Sequence, residues 1–97
     1  MTKVNAYEAL FIVDMSEGEA GVKPLVEKFR NLISENAEIT GINEWGKRIL
    51  AYPINDKKEG YYVLVNFSSK PDFPAELERI FGITEGIMRY MVIRVDA

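Results

Sequence analysis

The apolar pattern of the chain predicts an α+β sandwich: a four-stranded antiparallel sheet with two helices on one face. Two kinds of observation carry this reading. Four extended stretches read with the two-residue period of strands, and two stretches repeat at the 3.6-residue spacing of a helix. They follow one another in the order β-α-β-β-α-β.

Asn5 to Val13 reads as the first strand. Tyr7, Ala9, Phe11 and Val13 alternate with Ala6, Glu8, Leu10 and Ile12, and both sets are largely apolar, as expected of a central strand or one whose second face meets a partner. A polar turn follows, in which Ser16 and Glu19 stand at the spacing of a capping box. Val22, Leu25, Val26, Phe29, Leu32 and Ile33 then form one apolar stripe, predicting a helix from residue 18 or 22 to Asn36. The later start allows for Pro24, which a first turn tolerates.

Ile39 to Gly46 is the second strand, with a bulge or bend expected at Trp45-Gly46, and Lys47 to Ile54 continues it in extended form. Asn55 to Gly60 is a charged turn, and Tyr61 to Phe67 the third strand. On that strand Tyr61, Val63, Val65 and Phe67 share one face, and Tyr62, Leu64 and Asn66 the other. Asp72 is placed to cap a short helix with Pro74 in its first turn, Leu77, Ile80 and Phe81 inward and Gly82 as its stop. Ile87 to Val95 closes the order, which is that of a ferredoxin-like split βαβ sandwich.

With 97 residues, 47% of them hydrophobic, residues 1–97 make one domain with one small core. There is no cysteine and no histidine, which excludes disulfides, thiolate nucleophiles and the usual metal ligands and general bases. No glycine-rich phosphate loop and no metal-ligand spacing is present. The expectation is therefore no enzyme, no cofactor and no metal. The N-terminal stretch lacks the apolar region of a signal peptide and the longest apolar run is Ala9–Val13, so a cytoplasmic protein with no membrane contact is expected.

A formal net charge of −3 argues against a protein that holds nucleic acid by bulk electrostatics alone. The charge is uneven, however. Through Glu44 four basic residues (Lys3, Lys23, Lys28, Arg30) face eight acidic ones, and from Lys47 onward eight face seven. Basic residues gather at Lys47-Arg48, at Lys57-Lys58 and at Arg89 with Arg94, with Tyr52, Tyr62 and Tyr90 among them. That mixture suits phosphate contact with a stacking ring. If both helices cover one sheet face, alternation leaves Leu10, Ile12, Tyr62, Leu64, Met91 and Ile93 on the other. So apolar an open face points to a bound partner.

Glu44-Trp45-Gly46-Lys47-Arg48-Ile49-Leu50-Ala51-Tyr52-Pro53-Ile54 closely resembles the W-G-basic-R-x-L-A-Y-P-I signature of the bacterial small-subunit ribosomal protein S-six family. Tyr7-Glu8 in the first strand, Gly60-Tyr61-Tyr62 opening the third, Leu77-Glu78 in the second helix and the closing run Ile87–Arg94 are similar to that family in order and spacing. The resemblance implies the same sandwich. It also implies that the chain binds the central domain of 16S ribosomal RNA as a heterodimer with ribosomal protein S-eighteen during assembly of the small ribosomal subunit, without a small-molecule substrate. It carries Lys47, Arg48, Arg89 and Arg94 over as RNA-contacting cations, with Lys57 and Lys58 behind them. Asn5-Ala6 departs from the basic residues that many members have before the first-strand Tyr-Glu, and the chain closes at Asp96-Ala97 without the long acidic tail of some members. The alternative is a stand-alone ferredoxin-like module that dimerises through its open sheet face and binds a small ligand.

Overall fold

Six elements follow the expected order: β1 (Asn5–Asp14), α1 (Glu19–Asn36), β2 (Glu38–Ile54), β3 (Lys57–Ser69), α2 (Phe73–Ile83) and β4 (Ile87–Arg94). The structure, a computed structural model, describes residues 4–16, 18–54 and 57–95. The side chains of Glu19, of residues 50–54 and of Lys57 and Lys58 lie outside the described set. The strands form one antiparallel sheet in the order β2-β3-β1-β4.

β1 is paired along both edges. It runs against β3 from Asn5↔Ser69 to Asp14↔Gly60, and against β4 from Tyr7↔Arg94 to Val13↔Ile87. A strand enclosed in this way must be apolar on the face the helices cover, and Tyr7, Ala9, Phe11 and Val13 are all buried there. They meet Val63, Val65 and Phe67 of β3, and Val22, Val26, Phe29 and Ile33 of α1. Phe73, Leu77 and Phe81 of α2 complete the core.

Three rings lock the layers. Phe11 of β1, Phe29 of α1 and Phe81 of α2 have centroids 5.6, 5.0 and 4.3 Å apart pairwise. Tyr90 of β4 extends the stack against Phe81 at 5.4 Å. Aromatic pairs at such distances add about 0.5–1.5 kcal/mol each beyond the area they bury.

The helix termini differ from expectation. α1 begins at Glu19 with Gly18 as its N-cap and no side-chain cap. The Ser16 amide and hydroxyl both donate to Asp14 Oδ1, at 2.8 and 2.7 Å, so Ser16 belongs to the preceding turn and Gly18, not Ser16, is the N-cap; the Glu19 half of the expected capping box lies outside the described residues. Pro24 sits inside α1, because the buried stripe from Val22 to Ile33 holds the helix through a missing N–H. Asp72 occupies the N-cap of α2 but makes no side-chain cap: its backbone (φ −85°, ψ −19°) is already helical, whereas a capping side chain needs an extended residue.

Gly82 is not a stop. The helix continues to Ile83 and closes on Thr84, whose N–H donates to the Phe81 carbonyl and whose hydroxyl donates to that of Ile80. The absent side chain serves packing instead, since a Cβ at Gly82 would lie 3.2 Å from the Tyr90 hydroxyl. The charged turn is also shorter than predicted: Gly60 and Glu59 pair with Arg48 and Ile49, so Lys57–Gly60 are strand.

Truncating Phe29 to Ala removes one ring of this stack from a site with no solvent exposure. The expected loss is about 3–5 kcal/mol, read as a lower urea midpoint with unchanged slope.

Candidate RNA and partner interface

Because both helices lie on the face of the odd-numbered residues of β1, the even-numbered ones face the other way. Register carries this phase across the sheet, since partners in an antiparallel pair project to the same side. Leu10 pairs with Leu64 and Met91, Ile12 with Tyr62 and Arg89, and Glu8 with Asn66 and Ile93. Leu10, Ile12, Tyr62, Leu64, Met91 and Ile93 thus share one uncovered face. Within it Ile12 is only 5% exposed, hemmed in by its neighbours, while Met91 and Ile93 at the β4 edge are 51% and 42% exposed.

The four expected cations do not stay together. Arg89 stands on the open face beside Ile12, whereas Arg94, level with Tyr7, projects to the helix side at the β4 edge. Lys47 and Arg48 are likewise divided. Lys47 pairs with Tyr61 and shares the helix-side phase; its ammonium is 3.2 Å from Glu59. Arg48 pairs with Gly60 and projects on the open side with Tyr62. The side chains of Lys57, Lys58 and Tyr52 lie outside the described residues.

A β-bulge at Trp45 decides which of the basic pair faces outward. Glu44 pairs with Val63 and Gly46 with Tyr62, so Trp45 is the extra residue. Gly46 adopts φ +82°, the left-handed region glycine enters without steric cost. Strict alternation through Trp45 would have put Lys47 on the open face; the bulge puts Arg48 there.

The bulge also turns Trp45 over Tyr62. The two rings lie 6.1 Å apart and within 15° of parallel, and Trp45 is 39% exposed. Alternation along one strand does not reveal this pair, because it depends on the register between β2 and β3. Tyr90, expected among the cations, belongs to the helix-side stack on Phe81 instead.

The exposed pair on α2 stands apart from this face. Arg79 Nε and Nη2 donate to the two Glu76 carboxylate oxygens at 3.0 and 2.6 Å, which holds the Glu76 carboxyl below its ordinary value and the guanidinium above its own. Any stability from the lowered carboxyl is present above its unfolded value near 4.5 and is lost as pH falls through the folded one. Neutral-pH binding therefore does not sense it. Among the described residues no group of three or more acidic side chains is placed to hold a metal, and no helix is long and apolar enough to cross a membrane.

A βαββαβ sandwich with one helix-covered face and one bare apolar face, edged by arginines, defines a small module that works by presenting a surface. Residues 6–94 match the family described as Ribosomal protein S6, and the chain belongs to that family. It is 51% identical over 94 residues to the small ribosomal subunit protein bS6 of Caldanaerobacter subterraneus subsp. tengcongensis, a match spanning 96% of this chain and 99% of that protein. The bS6 protein of Clostridium novyi is 50% identical over 91 residues, spanning 93% and 96%. In shape the chain is similar to the crystal structure of 30S ribosomal protein S6 from Thermotoga maritima, with a TM-score of 0.89 at 29% identity over 96% of this chain and 89% of that one. Membership makes the chain a structural constituent of the small ribosomal subunit rather than an enzyme, found on the cytoplasmic ribosome of bacteria.

The Gly46 bulge makes a prediction of its own. No atom lies within 4 Å of a Cβ added at Gly46, so Gly46→Ala should cost only the left-handed backbone penalty, about 1–2 kcal/mol by chemical denaturation.

Proposed function

We propose that the chain binds the central domain of 16S ribosomal RNA together with ribosomal protein S-eighteen, as a heterodimer, and that the open sheet face is the shared surface. The observation that carries this reading is the uncovered row of Leu64, Leu10 and Met91, continuous with Arg48 and Arg89 on the same face. A row of this kind is too apolar to be left to water and suits a protein partner. The two arginines supply cations for RNA phosphates.

The net charge of −3 supports a composite surface. Each phosphate neutralised contributes to affinity through released counterions, and an acidic chain offers few such contacts by itself. A basic partner seated on the apolar row would bring the remainder.

The direct test is a titration of a central-domain ribosomal RNA fragment with and without protein S-eighteen. Tight binding only with both proteins present is expected. Binding in neither condition would overturn the heterodimer reading and leave the chain's membership of its family standing.

Two substitutions sharpen the test. Replacing Lys47 and Arg48 together by Ala should weaken RNA binding by about 1–3 kcal/mol and flatten its salt dependence, measured by filter binding across a salt series. An unchanged slope would remove this pair from the RNA contact. Leu64→Asp should abolish heterodimer formation in a pull-down, because it sets an uncompensated carboxylate in the centre of the contact. Since Leu64 lies on the open face, the variant should keep its far-UV circular dichroism.

A further inference from the structure

At the level of Ile12 the open face carries a row unlike its neighbours. Trp45, Tyr62, Ile12 and Arg89 stand on β2, β3, β1 and β4 in turn, crossing the sheet over about 14 Å at the usual strand spacing. Arg48 lies beyond Tyr62, toward the hairpin end. The next row, Asn43, Leu64, Leu10 and Met91, has no charge. The row after that, Gly41, Asn66, Glu8 and Ile93, holds one acid.

We propose that the Trp45–Tyr62 ring pair is a stacking platform for one unpaired base of RNA, with Arg48 and Arg89 taking phosphates on either side of it. The proposal rests on the RNA-binding reading above and assigns one row of the face within it. A near-parallel ring pair with a partly exposed indole has a free π-face, which any base can cover.

Charge complementarity selects RNA over a protein segment for this row. Arg48 and Arg89 have no ion-pair partner among the described residues, whereas Lys47 is paired with Glu59 and Arg94 lies on the other face. The acids of the open face are otherwise engaged or distant. Asp14 Oδ1 accepts both hydrogen bonds from Ser16, and Glu8 lies two rows along. The apolar second row is left for the protein partner, so the face divides into an aromatic and cationic end and an apolar middle.

Trp45 is the single tryptophan of the chain, so its emission reports on the platform directly. The heterodimer is titrated with the central-domain RNA fragment, and a heterodimer carrying Trp45→Phe provides the background from the partner. RNA should quench the Trp45 emission. Trp45→Ala should lose about 10–100-fold in RNA affinity, and Trp45→Phe, which keeps a ring, should lose far less. Replacing Arg48 and Arg89 by Ala should reduce the salt slope by about two, whereas replacing Lys47 and Arg94 should leave it nearly unchanged.

RNA that binds the wild type while leaving the emission unchanged, with Trp45→Ala within twofold, would overturn the platform and leave the RNA-binding reading standing. An emission change complete on adding the protein partner, with none on adding RNA, would assign the rings to the protein contact and also overturn it. Failure of the wild-type heterodimer to bind RNA would remove the underlying reading and the platform together. Should Trp45→Ala fail to fold, the wild-type quenching and the Trp45→Phe affinity still decide.

Discussion

The double pairing of β1 is the constraint on which the rest depends. With β3 on one edge and β4 on the other, the strand has no freedom to slip without turning Phe11 out of its contacts with Phe29 and Phe81. The ring stack therefore fixes the phase of the sheet. That phase in turn sends Leu10 and Ile12 to the uncovered side, and the ladders pass the same assignment to Leu64, Tyr62 and Met91. The apolar open face is thus a by-product of the core: a strand that must be apolar toward the helices is here also apolar away from them.

This arrangement explains how an acidic chain can belong to a ribonucleoprotein particle. Its positive charge is scarce, and the fold does not concentrate it. Lys47 and Arg94 go to the helix side, Arg48 and Arg89 to the sheet side. What the fold does concentrate is apolar area with an aromatic pair beside it. Such a surface gains more from shape and stacking than from long-range attraction, and it gains most when a second protein completes it.

The periodic features were legible in the sequence. The strand of alternating Tyr7, Ala9, Phe11 and Val13, the helical stripe from Val22 to Ile33 and the uncovered set on β1, β3 and β4 all follow from spacing, because burial on one side imposes it. The helix ends were not. Ser16 had the right spacing for a cap, but Asp14 draws its amide and hydroxyl into a local turn. Gly82 had the right residue type for a stop, but its lack of a side chain makes room for Tyr90, a contact from another element. The segment Glu44–Ile54 pointed to the family, yet it did not reveal that Lys47 and Arg48 part ways or that Trp45 lies over Tyr62. Trp45-Gly46 signalled the bulge that the structure shows, but how it divides the side chains depends on the pairing of β2 with β3, which one strand alone does not reveal.

The bulge has a consequence for how this surface is inherited. From Gly41 to Trp45 the odd-numbered residues of β2 lie on the open side, and from Gly46 the even-numbered ones do. A deletion of Trp45 would remove the bulge and leave Gly46, Lys47 and Arg48 opposite their present partners on β3, with the frame unchanged. The frame reverses instead if every residue is kept and only the bulge is lost: regular alternation through Trp45 then exchanges the planar, five-donor guanidinium of Arg48 for the compact ammonium of Lys47 on the open face without altering either residue. In this strand the bulge is therefore as much a determinant of surface chemistry as the residues themselves, and a relative that paired the same residues without it would present a different charge on the same face.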